Sequence, residues 1–277
     1  MKDAPTAAVI LIGNELLSGK IADENAAWLA GRLRTLGVDL RRIVTIADEP
    51  AEIIDEVRAC AARFTHVFTS GGIGPTHDDI TLETLARAWN VPVVLDPTLE
   101  EILRRHFGPR LTPDHLRMAR VPDGTRLMAG GPIAWPVMCF ENVFILPGVP
   151  QIFRAKFDSI ADTFRGVDFY IRNLYLKSDE GEIAPILRQV EAEGGVQIGS
   201  YPRIDRADHH VRITVEARAA GPVDAAVTRL LGALPAAEIV RVDQALLPAL
   251  APAVEPAREP AVESQGALAP GPSLDEG

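Results

Sequence analysis

The sequence has little of several features that mark common protein classes. Only two of its 277 residues are cysteines, Cys60 and Cys139, which are too few for a disulfide framework or a zinc cluster. We expect both to be reduced, buried thiols of a cytoplasmic protein. No lysine-rich run occurs, and 38 acidic against 28 basic residues give a net charge of −10. Because binding to duplex nucleic acid needs clustered lysine and arginine, a nucleic-acid partner is not expected.

Long apolar runs are absent near the N-terminus, where the only such run is residues 7–12. A signal peptide needs a longer apolar stretch and a membrane-spanning helix needs about 20 residues, so neither is predicted and no membrane partner is expected. The composition is 47% hydrophobic and 24% charged, which is typical of globular proteins. The length allows about two domains.

The first 165 residues alternate short β-rich runs with amphipathic helical stretches, which predicts a mostly parallel α/β sheet. The continuous apolar run ends at Gly13 and is typical of a strand buried on both faces. Further strands are predicted at 38–46, 64–70 and 142–146, and helices at 23–36, 49–63, 80–89, 99–107 and 151–164. The stretch 112–136 is rich in proline and glycine and receives no assignment.

After Gly166 the pattern becomes strand, helix, strand, strand, helix over about 70 residues, which predicts a small α+β domain. From Gln244 onward the composition narrows to alanine, proline, glutamate and glycine, and four prolines recur at every fourth position. Proline lacks the amide hydrogen that a helix needs, so this tail is predicted to be disordered. The predicted organisation is therefore a first domain at 1–167, a second at 168–243 and a tail at 244–277.

Three strand-to-helix junctions are polar and rich in glycine. The first loop is Gly13–Lys20, the second loop is Ser70–Thr81, and the third loop is Leu146–Pro150. In an open parallel sheet, ligands bind beyond the carboxyl ends of the strands, so the three loops are expected to form one site.

The second loop is the most informative of the three. Its three glycines, Gly71, Gly72 and Gly74, permit a tight turn and leave bare amides beside a helix N-terminus, an arrangement that binds phosphate. Asp78 and Asp79 follow, and two carboxylates would repel an anion unless a divalent cation lies between them. The alternative is that Asp79 only caps the helix and its neighbours form an ordinary turn.

These loops carry a family resemblance. The chain resembles the molybdopterin-binding (MoaB/Mog-like) superfamily, and within it the N-terminal part of competence/damage-inducible protein A, over about residues 7–165. The second half looks like the KH-type module that follows in this family, and it is also similar to the molybdopterin-binding-like half of eukaryotic FAD synthase. The resemblance implies a mostly parallel three-layer sandwich followed by a small α+β domain, and a homo-oligomer.

The resemblance also implies a function. Relatives adenylylate molybdopterin, or hydrolyse ADP-ribose or FAD with a divalent metal such as Mg²⁺, Mn²⁺ or Co²⁺. Asp79 and Asp48 match the functional aspartates, and the metal is expected at Asp78 and Asp79. A nucleotide or pterin ligand is expected at Gly13, Asn14, Glu15, Gly71, Gly72, Gly74, Thr76, Pro147 and Gly148.

Several interpretations remain open from the sequence. The leading hypothesis is a metal-dependent pyrophosphatase, and the alternatives are molybdopterin adenylylation or a module that only binds nucleotide or nucleic acid. Asp48 lies just before a predicted helix, so helix capping is an alternative explanation for it, and Glu15 suits a metal, a ribose hydroxyl or a turn. The chain departs from many relatives at Gln151, where they have glutamate, and at Ala134–Val137.

Overall fold

A computed structural model describes residues 4–128, 135–203 and 207–245. Ala134 and residues 246–277 of the predicted tail lie outside these ranges. In the first half the strands are β1 (Thr6–Ile12), β2 (Asp39–Ile46), β3 (His66–Ser70), β4 (Val93–Leu95), β5 (Arg120–Pro122), β6 (Arg126–Met128), β7 (Val137–Phe140) and β8 (Val143–Leu146). The helices are α1 (Asn14–Leu17), α2 (Asn25–Thr35), α3 (Pro50–Arg63), α4 (Thr81–Trp89), α5 (Pro97–Phe107), α6 (Pro113–Arg117) and α7 (Pro150–Ile160).

The main sheet has six strands in the order β2-β1-β3-β8-β7-β6, and β4 pairs with β5 separately. Strands β2, β1, β3 and β8 are parallel, whereas β7 and β6 form an antiparallel edge. The mostly parallel α/β fold predicted from the sequence is confirmed. The strand β7 is a correction, because it falls where the sequence received no strand assignment.

Strand β1 shows why the sheet is covered on both faces. Its side chains alternate, so that Ala8 and Ile10 join one apolar cluster while Val9 and Leu11 join the other. Helices α3 and α4 contribute to the first cluster, and α2 and α7 contribute to the second. A helix layer therefore lies on each side of the sheet, as in a three-layer sandwich.

The second half contains β9 (Tyr170–Leu176), α8 (Glu180–Gly194), β10 (Gln197–Pro202), β11 (Val211–Ala217), α9 (Ala220–Ala233) and β12 (Ile239–Ala245). They form an antiparallel sheet in the order β10-β11-β9-β12, and the two helices pack against its apolar face. Strand β12 corrects the sequence interpretation, which ended this unit on a helix. It pairs along β9 and extends two residues into the segment predicted to be a disordered tail.

No helix in the described ranges combines the length and the apolar character needed to cross a membrane.

Candidate functional site

The three loops meet at one edge of the main sheet. They follow β1, β3 and β8, which are adjacent and parallel, so their carboxyl ends lie side by side. Gly148 and Gly71 approach so closely that a methyl group on Gly148 would lie 3.6 Å from the Cα of Gly71. The first loop contains the short helix α1, which the sequence did not predict.

A cavity of about 1360 Å³ opens at this edge and is completed by residues of α5 and α7. Most of the predicted site residues line this cavity: Glu15, Gly71, Gly72, Gly74, Asp79, Pro147 and Gly148. The predicted residues that do not line it are Gly13, Asn14, Asp48, Thr76 and Asp78. Residues of all three loops therefore line one cleft, as expected from the sequence.

The backbone amides of the loops divide into two groups. Gly13 donates to the carbonyl of Ile46 at 3.1 Å, and Gly71 donates to the carbonyl of Leu146 at 3.2 Å. Within the described residues, the amides of Gly72, Gly74 and Gly148 have no hydrogen-bond partner. Amide N–H groups are anion ligands when they are unpaired and point into a cleft. Of the predicted glycines, these three therefore keep their amides available to a ligand, whereas the amides of Gly13 and Gly71 join neighbouring strand ends.

Gly71 lies in close contact with the end of β1. Its φ is +109°, and a Cβ built there would lie 2.3 Å from the carbonyl oxygen of Ile12 at the end of β1. We expect Gly71→Ala to lower the free energy of unfolding by about 2–3 kcal/mol, because both the backbone angle and the contact must change. Urea titration measures this loss.

Gly19→Ala is the matched control for that substitution. Gly19 also has a positive φ of +71°, but a methyl group there would meet nothing within 4 Å. Its expected loss is about 1 kcal/mol, the cost of the left-handed backbone alone. Equal losses in the free energy of unfolding would show that the contact with Ile12 contributes nothing to the cost of Gly71→Ala.

Asp48 reaches the first loop from the end of β2. Its Oδ2 accepts a hydrogen bond of 2.8 Å from the backbone amide of Asn14. The cap position of α3 belongs to Glu49, and no side chain caps that helix, so helix capping does not account for Asp48. The bond instead ties the first loop to β2, which places a carboxylate behind the cavity wall.

Four carboxylates gather at this corner. Burial raises the pKa of Asp48, and the negative charges of Glu15, Asp78 and Asp79 raise it further, while the Asn14 amide acts in the opposite direction. In contrast, the pKa of the exposed Asp78 is lowered, first by the side chain of Thr76. The neighbouring negative charges disfavour the ionised form of Asp48, and a cation bound among these carboxylates would reduce that repulsion.

Asp79 has a structural partner as well as a place in the cavity. Its Oδ2 accepts from the Thr76 amide at 2.8 Å and from the Thr76 hydroxyl at 2.6 Å. Arg117 of α6 donates to the carbonyl of Thr76 at 2.9 Å and reaches that of Asp79 at 3.4 Å. Asp79 does not cap α4, because the cap position belongs to Ile80 and no side chain caps that helix. The turn part of the alternative is observed, with Oδ2 as the acceptor. Arg117, which no sequence motif singled out, holds the same turn from outside.

Asn25, at the start of α2, joins the second and third loops. The side-chain amide donates to the Ser70 hydroxyl at 3.0 Å and to the Gly148 carbonyl at 2.7 Å, and the residue is buried in the cavity wall. Its amide oxygen has no hydrogen-bond partner within the described residues. Local spacing in the sequence does not reveal these two hydrogen bonds, because Ser70 and Gly148 lie 45 and 123 residues away from Asn25.

The donor set suits a hard divalent cation. The four carboxylates at the corner offer oxygen ligands, and Mg²⁺ is typically bound by one or two carboxylates together with substrate phosphates. No cluster of three potential His, Cys, Asp or Glu ligands occurs in the described part of the chain. This arrangement fits a cation completed by the ligand and does not fit a structural site formed by the protein alone.

Comparison with known proteins gives two family matches. Residues 8–165 match the model of a probable molybdopterin binding domain, and residues 168–243 match that of the FAD synthase middle domain. The first match covers the main sheet and all three loops, and the second covers most of the four-stranded unit.

Individual relatives agree with these matches. A probable FAD synthase of Caenorhabditis elegans is 31% identical over 259 residues, which cover 83% of this chain and 50% of that protein. A CinA-like protein of Myxococcus xanthus is 37% identical over 154 residues, which cover 53% of this chain and 37% of that protein. The chain spans about half the length of the probable FAD synthases it matches.

A solved structure supports the fold of the first half. The protein CinA of unknown function from Thermoplasma acidophilum is 31% identical, with a TM-score of 0.53, and the match covers 57% of this chain and 98% of that one. The similarity to molybdopterin-binding, CinA-like and FAD synthase proteins expected from the loop motifs is confirmed.

Proposed function

The chain belongs to the family of the probable molybdopterin binding domain, and from this premise we propose that it is a metal-dependent pyrophosphatase. The proposed substrate is an adenine nucleotide with a diphosphate bridge, such as ADP-ribose or FAD. Water adds to one phosphorus, the bond from that phosphorus to the bridging oxygen breaks, and AMP leaves with ribose 5-phosphate or FMN as the second product.

One observation carries the proposal: unpaired amides and a cluster of carboxylates share one cavity. The amides of Gly72, Gly74 and Gly148 have no hydrogen-bond partner among the described residues, and these glycines line the same cavity as Glu15 and Asp79. Amides alone would bind any phosphate, and carboxylates alone would repel it. Their combination suits a phosphate ligand that arrives with a divalent cation.

The cation would be held by Asp79 with Asp78 or Asp48, and when bound it neutralises phosphate charge and lowers the pKa of a coordinated water. The chain itself supplies the orientation of the diphosphate through the three amides. Asp48 fixes the first loop through its bond to the Asn14 amide and adds a negative charge behind that loop.

The test is release of AMP. The protein is incubated with ADP-ribose or FAD together with Mg²⁺, Mn²⁺ or Co²⁺, and the products are separated by chromatography. We expect AMP in equal amount to the second product and only when a metal is present. Absence of AMP with every metal contradicts the proposal, and binding without turnover would favour a module that only binds nucleotide.

A second candidate is adenylylation of molybdopterin with ATP, which the family match favours because its description names molybdopterin binding. The same amides would hold the ATP phosphates, and the pterin would take the apolar part of the cavity. Product analysis with ATP and molybdopterin separates the two functions, since transfer gives adenylylated molybdopterin and pyrophosphate, and hydrolysis of ADP-ribose gives neither.

A further inference from the structure

Lys156 is a buried lysine in the wall of the cavity. It lies on α7 four residues after Ile152, so both side chains occupy the same face of the helix, and both line the cavity. Lys156 is only 5% exposed. Lysine is rarely buried to this extent unless its ammonium group has partners.

The partners of the ammonium group are two backbone carbonyls. The Nζ atom donates to the carbonyl of Trp135 at 2.5 Å and to that of Pro136 at 3.1 Å. These residues lead into β7, which runs antiparallel to β8 with Met138 opposite Ile145. Continuing this register places Pro136 at the level of the third loop. The positive charge therefore lies at the edge of the sheet where the unpaired Gly148 amide is found.

The protein provides no counter-ion for this charge within the described residues. Its neighbours on α7 are already paired, Arg154 with Glu24 at 2.9 Å and Asp158 with Arg32 at 2.8 Å, and no ion pair there includes Lys156. Burial lowers the pKa of Lys156 to about 8. Carbonyl groups compensate only part of the cost of burying an ammonium group, so an anion in the cavity would be strongly favoured.

The other charged groups around the cavity do not supply that anion. Glu15, Asp23, Glu24 and Asp79 belong to the first and second loops and the start of α2, and Glu24 is paired. On α5 the lining includes Glu101, Arg105 and His106. None of these side chains makes a hydrogen bond or ion pair with Lys156 in the part of the chain that the structure describes.

We propose that Lys156 binds a phosphate oxygen of the ligand at the third loop, opposite the carboxylate cluster. This inference rests on the proposed function only in that the cavity takes a phosphate ligand. Two protons of the ammonium group remain with the carbonyls, and the third is directed to the phosphate, so the helix contributes a fixed positive charge beside the Gly148 amide.

Calorimetric binding of inorganic pyrophosphate in a magnesium buffer tests the proposal. We expect Lys156→Met to weaken binding by about 10–100-fold, the range for a lost charge-assisted hydrogen bond. Lys177→Met is the matched control, because it removes the same charge from an exposed position outside the cavity. A loss in Lys156→Met no larger than that in the control overturns the proposal, as does failure of the unaltered protein to bind pyrophosphate.

The pH profile distinguishes binding from a merely structural role. The ammonium form predominates below the pKa of about 8, so affinity of the unaltered protein should be retained below it and fall as pH rises through it. Lys156→Gln, which keeps a donor for the carbonyls without the charge, should lose this fall. His106→Gln should retain it. If the unaltered protein and Lys156→Gln show the same change of affinity with pH, the proposal is overturned. If both Lys156 variants unfold, an affinity of the unaltered protein that does not fall as pH rises through about 8 also overturns it.

This experiment is independent of catalysis. Binding of pyrophosphate requires no turnover, so a protein that releases no AMP still tests the role of Lys156. Conversely, AMP release with unchanged pyrophosphate affinity in Lys156→Met would support the pyrophosphatase and reject this residue.

Discussion

Replacement of Asp79 by asparagine is expected to lower AMP release by at least about 100-fold while leaving the protein folded. Asparagine keeps an oxygen that accepts from the Thr76 amide and hydroxyl, so the turn of the second loop is preserved. The negative charge is lost at the position where the cation is proposed to bind. Because a metal site contributes several kcal/mol of transition-state stabilisation, the loss should appear in kcat.

A matched variant makes this result specific. Asp162→Asn is the control, because Asp162 is exposed, lies outside the cavity and, among the described residues, pairs only with Arg165. Its AMP release should equal that of the unaltered protein. If Asp79→Asn retained more than about a tenth of the activity at saturating metal, a charge-dependent role for Asp79 would be rejected, and its turn with Thr76 would be its whole function.

The largest expected effect on stability comes from Phe68→Ala in β3. Phe68 is fully buried, and its ring centroid lies 5.1–5.5 Å from those of Phe144, Phe157 and Phe164. Removing the ring leaves a cavity between the sheet and α7 in an interior that is close-packed. The expected loss in the free energy of unfolding is about 3–5 kcal/mol.

Tryptophan fluorescence during urea unfolding measures this loss in the first half of the chain. All three tryptophans, Trp28, Trp89 and Trp135, lie in that half, so the signal does not report the four-stranded unit. Phe68→Leu is the control, with an expected loss of about 1–2 kcal/mol because most of the apolar volume remains. A loss below about 1 kcal/mol in Phe68→Ala would show that the aromatic cluster collapses around the vacancy without cost.

The two predictions concern different parts of one strand-and-loop unit. Phe68 secures β3 between the helix layers, and the second loop continues directly from the end of that strand. A destabilised β3 should therefore also reduce AMP release at temperatures close to its unfolding transition. Asp79→Asn, by contrast, should reduce it at all temperatures, which separates support of the site from its chemistry.

Most helices and strands could be predicted because their signals are local. The helix predicted at 49–63 and the strand at the apolar run 7–12 each differ from the observed element by one residue. Helix α4 ends at Trp89, as predicted, and Asn90 after it adopts a left-handed conformation with φ of 55°. In each case the apolar periodicity and a boundary residue agree, so local and tertiary preferences point to the same structure.

Strands β7 and β12 were missed because each depends on pairing with a neighbouring strand and has no strong pattern of its own. Strand β7 is short and follows a stretch rich in glycine and proline, and it is stable because β8 pairs with it through a turn at Glu141, where φ is +52°. Strand β12 is held by pairing along β9, about 70 residues earlier in the chain. Pairing partners at such separations leave no periodic pattern by which a short strand is recognised.

The sequence by itself determined the buried strands, the helices between them and the three polar loops, because apolar periodicity and glycine act over a few residues. The tertiary structure decided which amides stay unpaired, that Asp48 bonds to Asn14, that Arg117 holds the turn at Asp79, and that Lys156 is buried beside the third loop. Each of these depends on groups that are distant in the chain and meet only when the strand ends align. The burial of a side chain and the charges around it depend on these distant contacts, so no local sequence pattern encodes them.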